Sequence, residues 1–409
     1  MEIRPILSAL LRNKTGPFLV ALQVALSLAI LANALHIVTE RRAVAMRPSG
    51  LSDESATFYF QVQNPANRTA EQMLASIKRD VEVLRGVPGV VAATRASQMP
   101  LSQSGWSTSF RLSADESADG HMSAFYMADE SLVETLGLRL VEGRAFQPHD
   151  VIDFDETRDN SMPAVTIITR ALAEKTWPGE SAIGKMMYLG SGGAQGSRVV
   201  GVVERLQSAH AQVGERGELS SLAPMLPYGE PRALYAMRAE PGQRDRVMKD
   251  AEQALRQSNA TPIIVEARTV EGDRKDRYRA DVALVWMLVT VSVLLLLVTC
   301  SGIVGMASLW VNQRRKQIGV RRALGARKTD IVRYFIVENL LITSAGVVGG
   351  VLLGIGLNQF LVSRLEMARL PLPYLAGGAL IFWTLGIAAA CGPAWRAAGI
   401  SPALATRSA

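Results

Sequence analysis

Cysteine is almost missing from this chain of 409 residues. The two present, Cys300 and Cys391, sit inside apolar blocks, so the polar stretch 39–281 has none and no disulfide can hold it together. That stretch must be stable on its own hydrophobic core, which its length permits. Histidine is scarce as well, and His36, His121, His149 and His210 include no pair at metal-ligand spacing. Asp153 and Asp155 in "DFDET" read as an acidic surface loop rather than a cation site. No Ser/His/Asp or Cys/His arrangement can be argued from spacing, so an enzymatic reading has no residues to stand on. A complete phosphate-binding loop is also missing. "GESAIGKM" at 179–186 approaches the G-x-x-x-x-G-K-[ST] pattern, but Met186 stands where the hydroxyl that holds Mg²⁺ belongs, and no strand runs directly into it. No catalytic residue, bound cofactor or metal site is therefore expected in this sequence.

Charge is scarce in a patterned way. The net charge is +7, which would suggest nucleic acid if it covered one soluble face. Of 44 Lys and Arg, 15 lie outside residues 39–281; of 37 Asp and Glu, only 4 do. The remaining 29 basic and 33 acidic residues leave the polar stretch mildly acidic. The basic excess belongs to short segments beside apolar blocks, a membrane-topology pattern that argues against a nucleic-acid partner.

Four apolar blocks are long enough to cross a bilayer. The first, 17–38, has 22 residues, and at about 1.5 Å per residue it covers a hydrocarbon core of roughly 30 Å. No small-residue cleavage pattern follows it, so it reads as an uncleaved anchor. The second, 282–311, has 30 residues and about 45 Å of helix, enough to tilt or to project as a stalk. The third covers 340–362, and the fourth 375–393, bracketed by Pro371, Pro373 and Pro393. Arg4, Arg12 and Lys14 precede the first block, and residues 312–333 carry eight Lys/Arg against one acid, Asp330. Positive flanks stay in the cytoplasm. The amphipathic segment 1–16, the loop 312–339 and the tail 394–409 are therefore expected inside, with 39–281 and the turn 363–374 outside.

In the external stretch, apolar residues alternate in "TFYFQVQ" (57–63), "GVVAATRA" (89–96), "RALYAMRA" (232–239) and "PIIVEAR" (262–268), and recur every three or four at 70–87 and 242–258. Two βαβ halves of this kind predict an α+β domain of the split-βαβ, ferredoxin-like plan, with residues 111–228 as an inserted second subdomain. Residues 271–281 lead helically into the second span.

The spans are informative through what they lack. Only Glu338 approaches the bilayer, at the cytoplasmic edge of the third span, where an interfacial role is expected. Gln23, Asn33 and Asn358 are uncharged and scattered, so a polar translocation pore has little support. Gly346, Gly350 and Gly354 form a small-residue stripe at i, i+4 that allows close helix approach. After Gly325, residues Ile331, Tyr334, Phe335 and Glu338 recur at helical spacing, with Arg327, Lys328 and Arg333 on other faces. This segment reads either as a basic helix resting on lipid or as a docking helix for a soluble partner.

"RRKQIGVRRALGARKTDIVRYFIVENLL", the Gly-rich span after it and "PAWRAAGISPALA" resemble the FtsX-like permease module of MacB-type ABC transporters. "FYMADESLVETLGLRLVEGRAF", "ALAEKTWPGESAIGKMMYLG" and "VVGVV" resemble that family's periplasmic core domain, in the same order along the whole chain. The resemblance implies a non-catalytic bacterial inner-membrane subunit with a large periplasmic domain. It would pass the motion of a separate cytoplasmic ABC ATPase, which holds the ATP and Mg²⁺, to that domain for efflux. The pattern departs from MacB in having no fused N-terminal ATPase, so that subunit is expected separately. Further implied partners are a second permease, identical or sister, and possible periplasmic adaptor and outer-membrane channel proteins. The ATPase contact is expected at Arg321, Arg322, Leu324, Gly325, Ala326, Arg327, Asp330, Ile331 and Tyr334. LolC/LolE-like lipoprotein extraction and FtsX-like regulation of periplasmic enzymes are the alternatives in the same family.

The topology is testable on whole cells with single cysteines at Ser117 and Ser408. An impermeant thiol reagent is expected to label position 117 and leave position 408 silent; the opposite pattern would reverse every crossing.

Overall fold

The structure is a computed structural model, and it describes residues 15–66, 68–113, 121–190, 196–210, 215–365 and 369–399. Two compact units divide the chain: Val44–Ala280, and Met1–Ala43 with Asp281–Ala409. The strands are β1 (Thr57–Gln63), β2 (Val90–Ala96), β3 (Ser107–Arg111), β4 (His121–Ala128), β5 (Leu140–Gly143), β6 (Ile152–Asp155), β7 (Val165–Thr169), β8 (Met186–Leu189), β9 (Ser197–Val203), β10 (Ser220–Tyr228), β11 (Arg232–Ala239) and β12 (Ile264–Thr269). The helices are α1 (Thr15–Ala45), α2 (Ala70–Arg85), α3 (Leu132–Thr135), α4 (Arg170–Thr176), α5 (Arg244–Ser258), α6 (Val270–Gln313), α7 (Arg315–Ala323), α8 (Lys328–Leu365) and α9 (Leu372–Ala398).

In the polar unit, β12, β1, β11 and β2 lie side by side, each antiparallel to its neighbour. With α2 joining β1 to β2 and α5 joining β11 to β12, this is the split-βαβ plan. Alternation sends Phe58, Phe60 and Val62 to one face, where they pack on Ile77, Val81 and Leu84 of α2 and Val247, Ala251 and Leu255 of α5. Tyr59 points to the other face, into a second core with Leu132, Leu136 and Val270. Helix α2 starts at a capping box: the Thr69 hydroxyl accepts from the Gln72 N–H, and the Gln72 side chain accepts from the Thr69 N–H.

The insertion is larger than residues 111–228. It fills the whole connection between Ala96 and Arg232, because β3 begins at Ser107 and pairs with β4 and β8 rather than with the ferredoxin-like strands. Nor does it stand apart as a second sheet. The β2 edge, which would otherwise present unpaired amides, is met by β4 at Ala96 and Ala128. The inserted strands β4, β3, β8, β9, β7 and β10 pair in sequence, and β10 returns to β4, so these pairings close on themselves.

Helix α6 begins where β12 ends. The Thr269 hydroxyl accepts from the Gly272 N–H, and Asp273 in the first turn accepts from the Tyr59 hydroxyl at 2.7 Å and from Arg268 at 2.8 and 3.1 Å. Burial and the adjacent Asp273 carboxylate push the Tyr59 phenol above its ordinary range, keeping it a donor. Arg274 reaches the opposite way, to both carboxylate oxygens of Glu54 at 2.6 and 2.8 Å and to the Ala45 and Arg47 carbonyls. Burial alone would raise the Glu54 pKa, but Arg274 and Ser49 more than offset it, leaving the carboxyl below its usual range. The stability this pair supplies is present at neutral pH and is lost as the pH falls through that depressed value.

The second unit contains helices long and apolar enough to cross a membrane: α1, most of α6, α8 and α9. All four outrun the apolar blocks. The segment "TERRAVA" prolongs α1 to Ala45, since nothing in it breaks a helix. Helix α1 is the most enclosed, 56% buried over its apolar window, whereas the window of α6 is 6% buried. Val20, Val24, Leu28 and Leu31 of α1 meet Ile303 and Trp310 of α6, Ile342 and Val347 of α8, and Ala379 and Phe382 of α9. The uncharged polar residues tie helices together. The Asn33 amide donates to the Gly354 carbonyl at 3.1 Å, Ser27 and Thr299 share a hydrogen bond of 2.9 Å, and the Asn339 amide donates to the Gly386 carbonyl at 2.7 Å. Residues 1–14 and 400–409, most of the segment 1–16 and of the tail 394–409, lie outside the described residues.

Asp273 is the keystone at the start of α6, being buried and shared by two donors. Asp273→Ala leaves Arg268 without that partner and is expected to lower the stability of the polar unit by about 3 kcal/mol. Tyr59→Phe is expected to cost about 1 kcal/mol. Chemical unfolding of the purified chain in detergent, followed by circular dichroism, measures both.

Candidate functional site

Arg314 separates α6 from the short helix α7 and makes the first fixed point of the elbow that joins α6 to α8. Its Nη1 donates to both carboxylate oxygens of Glu338 at 2.8 Å and to the Tyr334 hydroxyl at 3.3 Å. The Glu338 side chain is 1% exposed. Glu338 is thus no interfacial residue; it is the buried half of an ion pair that clamps α8 to the end of α6. A buried carboxylate without such a partner would be costly, so the two residues require each other.

Helix α7 ends in a Schellman motif. The Gly325 N–H donates to the Arg322 carbonyl at 3.2 Å and the Ala326 N–H to the Arg321 carbonyl at 3.1 Å. Gly325 has φ +96°, the left-handed region that side chains rarely adopt, although a Cβ there would meet no atom within 4 Å. The demand for glycine is therefore conformational, not steric. Asp330 then accepts from the Arg327 backbone N–H at 3.0 Å, covering a free amide at the start of α8.

No separate helix follows Gly325. Lys328–Leu365 is one uninterrupted helix, so the docking segment 312–339 and the third span 340–362 share α8. No proline interrupts this stretch, and its glycines lie further along, within the bundle. The independent short helix of the loop is α7, on the other side of the turn.

The residues expected at the ATPase contact split into two sets. Ile331 is 4% exposed and packs in a small core with Val311, Ile318, Phe335, Ala394, Ala397 and Ala398. In the single chain it is part of the core of the elbow. Tyr334 is half-buried beneath Arg321, whose guanidinium lies 5.2 Å from the ring centroid, and Arg322 donates to the Ala398 carbonyl. Ala326 is half-buried beside the same core. Leu324, Gly325, Arg327 and Asp330 are exposed, with Leu324 at 83%. Val320, one turn earlier on α7, is 51% exposed and was not singled out from the sequence. Val320 and Leu324 together form an apolar knob at i, i+4, flanked by the exposed Arg321, Arg327 and Lys328. The missed Arg314–Glu338 pair did carry a signal: an acid at the edge of an apolar span calls for a named partner, and a basic flank stood nearby.

The glycine stripe of α8 faces α1. A Cβ at Gly346 would lie 2.7 Å from the Ala21 carbonyl, one at Gly350 2.9 Å from the Ala25 carbonyl, and one at Gly354 3.2 Å from Leu375. Ala21, Ala25 and Ala29 supply the matching small residues on α1. The close approach this stripe allows is used within the chain.

"GESAIGKM" lies between α4 and β8. Gly179 and Gly184 both have positive φ, Lys185 pairs with Glu180 and lies 5.3 Å from the Trp177 ring centroid, and the segment runs into a strand rather than a helix N-terminus. The geometry that cradles phosphate is not formed. Among the described residues, no three His, Cys, Asp or Glu side chains gather as a metal site.

The MacB-like periplasmic core domain model matches residues 22–271, and the FtsX-like permease C-terminal model matches residues 289–402. The chain belongs to the MacB-like, FtsX-type permease family. Among curated relatives, the macrolide export ATP-binding/permease protein MacB of Acinetobacter baylyi is 27% identical over 250 residues, covering 58% of this chain and 35% of that protein. The pyoverdine export ATP-binding/permease protein PvdT of Pseudomonas syringae pv. syringae is 30% identical over 151 residues, covering 37% of this chain and 21% of that protein. The chain therefore spans about a third or less of the length of these two relatives. The solved periplasmic region of MacB from Actinobacillus actinomycetemcomitans aligns over 57% of this chain and 96% of its own, at 13% identity and a TM-score of 0.35. The extracellular domain of the transporter YknZ from Gram-positive bacteria aligns over 51% of this chain and 99% of its own, at 17% identity and a TM-score of 0.34.

In this permease the left-handed turn at Gly325 is expected to be intolerant of branched side chains. Gly325→Val should lower the stability of the elbow by about 2 kcal/mol and Gly325→Asn by less, since Asn tolerates positive φ. Thermal unfolding of the two variants in detergent gives the order; equal melting temperatures for Gly, Asn and Val would show that the turn does not require glycine.

Proposed function

We propose that this chain is the permease subunit of an ATP-driven exporter in the bacterial inner membrane, with residues 44–280 in the periplasm. ATP and Mg²⁺ belong to a cytoplasmic ABC ATPase outside this sequence, and the permease converts that enzyme's closure into movement of the external domain. The observation that carries this reading is α6. It is one helix of 44 residues, about 66 Å long, with its first turn held by Tyr59, Arg268 and Asp273 and its last residue adjoining the Arg314–Glu338 clamp. A displacement of the elbow has a stiff element along which to travel. The uncharged polar residues of the spans act as helix ties, which supports transmission of motion over passage of a polar substrate through the bundle.

The two relatives above are named for export of a macrolide and of a pyoverdine, and export is the direction carried over here. A second permease, identical or sister, would cover the apolar sides of α6, whose window is almost entirely open in the single chain. A periplasmic adaptor and an outer-membrane channel would continue the path outward.

In this reading the ATPase seats on the knob of Val320 and Leu324. Leu324→Asp touches no core and is expected to reduce co-purification of the ATPase by more than tenfold, as removal of a central apolar anchor does. Ile331→Asp, which charges the elbow core, is expected to lower stability as well as coupling. The chain alone should turn over no ATP, and Lys185→Ala should leave turnover of the complex unchanged. Undiminished ATPase retention in Leu324→Asp would overturn the docking assignment.

A further inference from the structure

A cleft of about 320 Å³ opens in the polar unit between the ferredoxin-like strands and the insertion. It is lined by Arg95 of β2, Trp106 just ahead of β3, Glu156 just after β6, and Glu230 and Arg232 at the turn from β10 to β11. Arg95 and Glu156 form its floor, with side chains 4% and 7% exposed. Two charges so deeply buried would ordinarily meet at hydrogen-bond distance with their remaining donors and acceptors satisfied. Here the closest approach, from Arg95 Nη2 to Glu156 Oε2, is 3.7 Å. Arg95 Nη1 is spent on the Ala96 carbonyl, and Arg95 Nε is sealed from solvent with no acceptor. The Glu156 carboxylate accepts no hydrogen bond from any described residue.

Burial holds the Glu156 carboxyl above the usual carboxylate range against the attraction of Arg95, and the charges of Glu230 and Asp155 push the same way. Arg232, at the start of β11, is exposed. Trp106 is 53% exposed, while its backbone N–H is fixed by the Gln98 side-chain oxygen at 2.6 Å. A half-bare indole on an anchored backbone is a preorganised platform for an apolar or cationic group.

We propose that this cleft binds an organic ammonium ion, whose N–H groups donate to Glu156 and whose apolar body rests on Trp106. The site is built from residues of the polar unit alone and does not depend on how the ATPase is coupled.

The test uses the full chain in lipid nanodiscs and isothermal titration with phenethylammonium, against phenethyl alcohol as the uncharged isostere and with empty nanodiscs subtracted. The ammonium is expected to bind at least about tenfold more tightly than the alcohol, the size of a charge-assisted hydrogen bond. Trp106→Ala should weaken both ligands, and Glu156→Gln should abolish the preference. Because Glu156→Gln can unsettle Arg95, the exposed Glu230→Gln is measured beside it; it should reduce the preference about threefold with the melting temperature unchanged. Equal affinity of the native chain for the two probes, or a native preference surviving in both Glu variants, would overturn the proposal.

Discussion

The rest of the structure depends on how the two ends of α6 are held. A helix that crosses hydrocarbon satisfies its own backbone in the middle and needs help only at its ends. At the start, the Thr269 hydroxyl accepts from the Gly272 amide, the Asp273 carboxylate sits in the first turn where the helix dipole favours negative charge, and Arg268 and Tyr59 donate to Asp273 in turn. At the finish, Arg314 is clamped by a nearly buried Glu338. Between the clamps the apolar side chains touch little of their own chain, so the helix is defined by its termini more than by its flanks.

The remaining spans solve the opposite problem. Helix α1 is enclosed, and in a bilayer, where lipid is as apolar as leucine, enclosure rests on close packing and hydrogen bonds. Gly346, Gly350 and Gly354 bring α8 against Ala21, Ala25 and Ala29 of α1, and Asn33 and Asn339 add hydrogen bonds to carbonyls of neighbouring helices. In the polar unit the equivalent problem is sheet edges. The ferredoxin-like sheet hands its β2 edge to β4, and the inserted strands hand theirs back to β4 through β10. A large insertion is thereby accommodated without a separate body.

Much of this was legible residue by residue. The strands 57–63 and 232–239 have the limits read from their alternation, and the ferredoxin-like order follows from the repeated βαβ pattern. The start of the insertion was not legible, because "STSFR" has no strong alternation and its strand identity comes from its neighbours β4 and β8. The elbow shows a sharper failure. Ile331, Phe335 and Leu324 are all apolar residues in a basic segment, and sequence spacing does not say which of them point to one another. Ile331 and Phe335 turned inward because Ile318 of α7 and Ala394–Ala398 of α9 offer them a surface, whereas Leu324 sits on the cap of α7 and is 83% exposed among the described residues.

The sequence by itself determined the number of apolar helices, the basic segments beside them, the split-βαβ halves and the need for glycine or another small residue at particular helix positions. These are properties of composition and period, carried by each segment on its own. The tertiary structure decided which partners those segments found: Glu338 with Arg314, the glycine stripe with α1, Ile331 with α9, and Glu156 at 3.7 Å from Arg95. Such pairings join residues tens to hundreds of positions apart, and only packing, by excluding water from one face and leaving another open, selects among them.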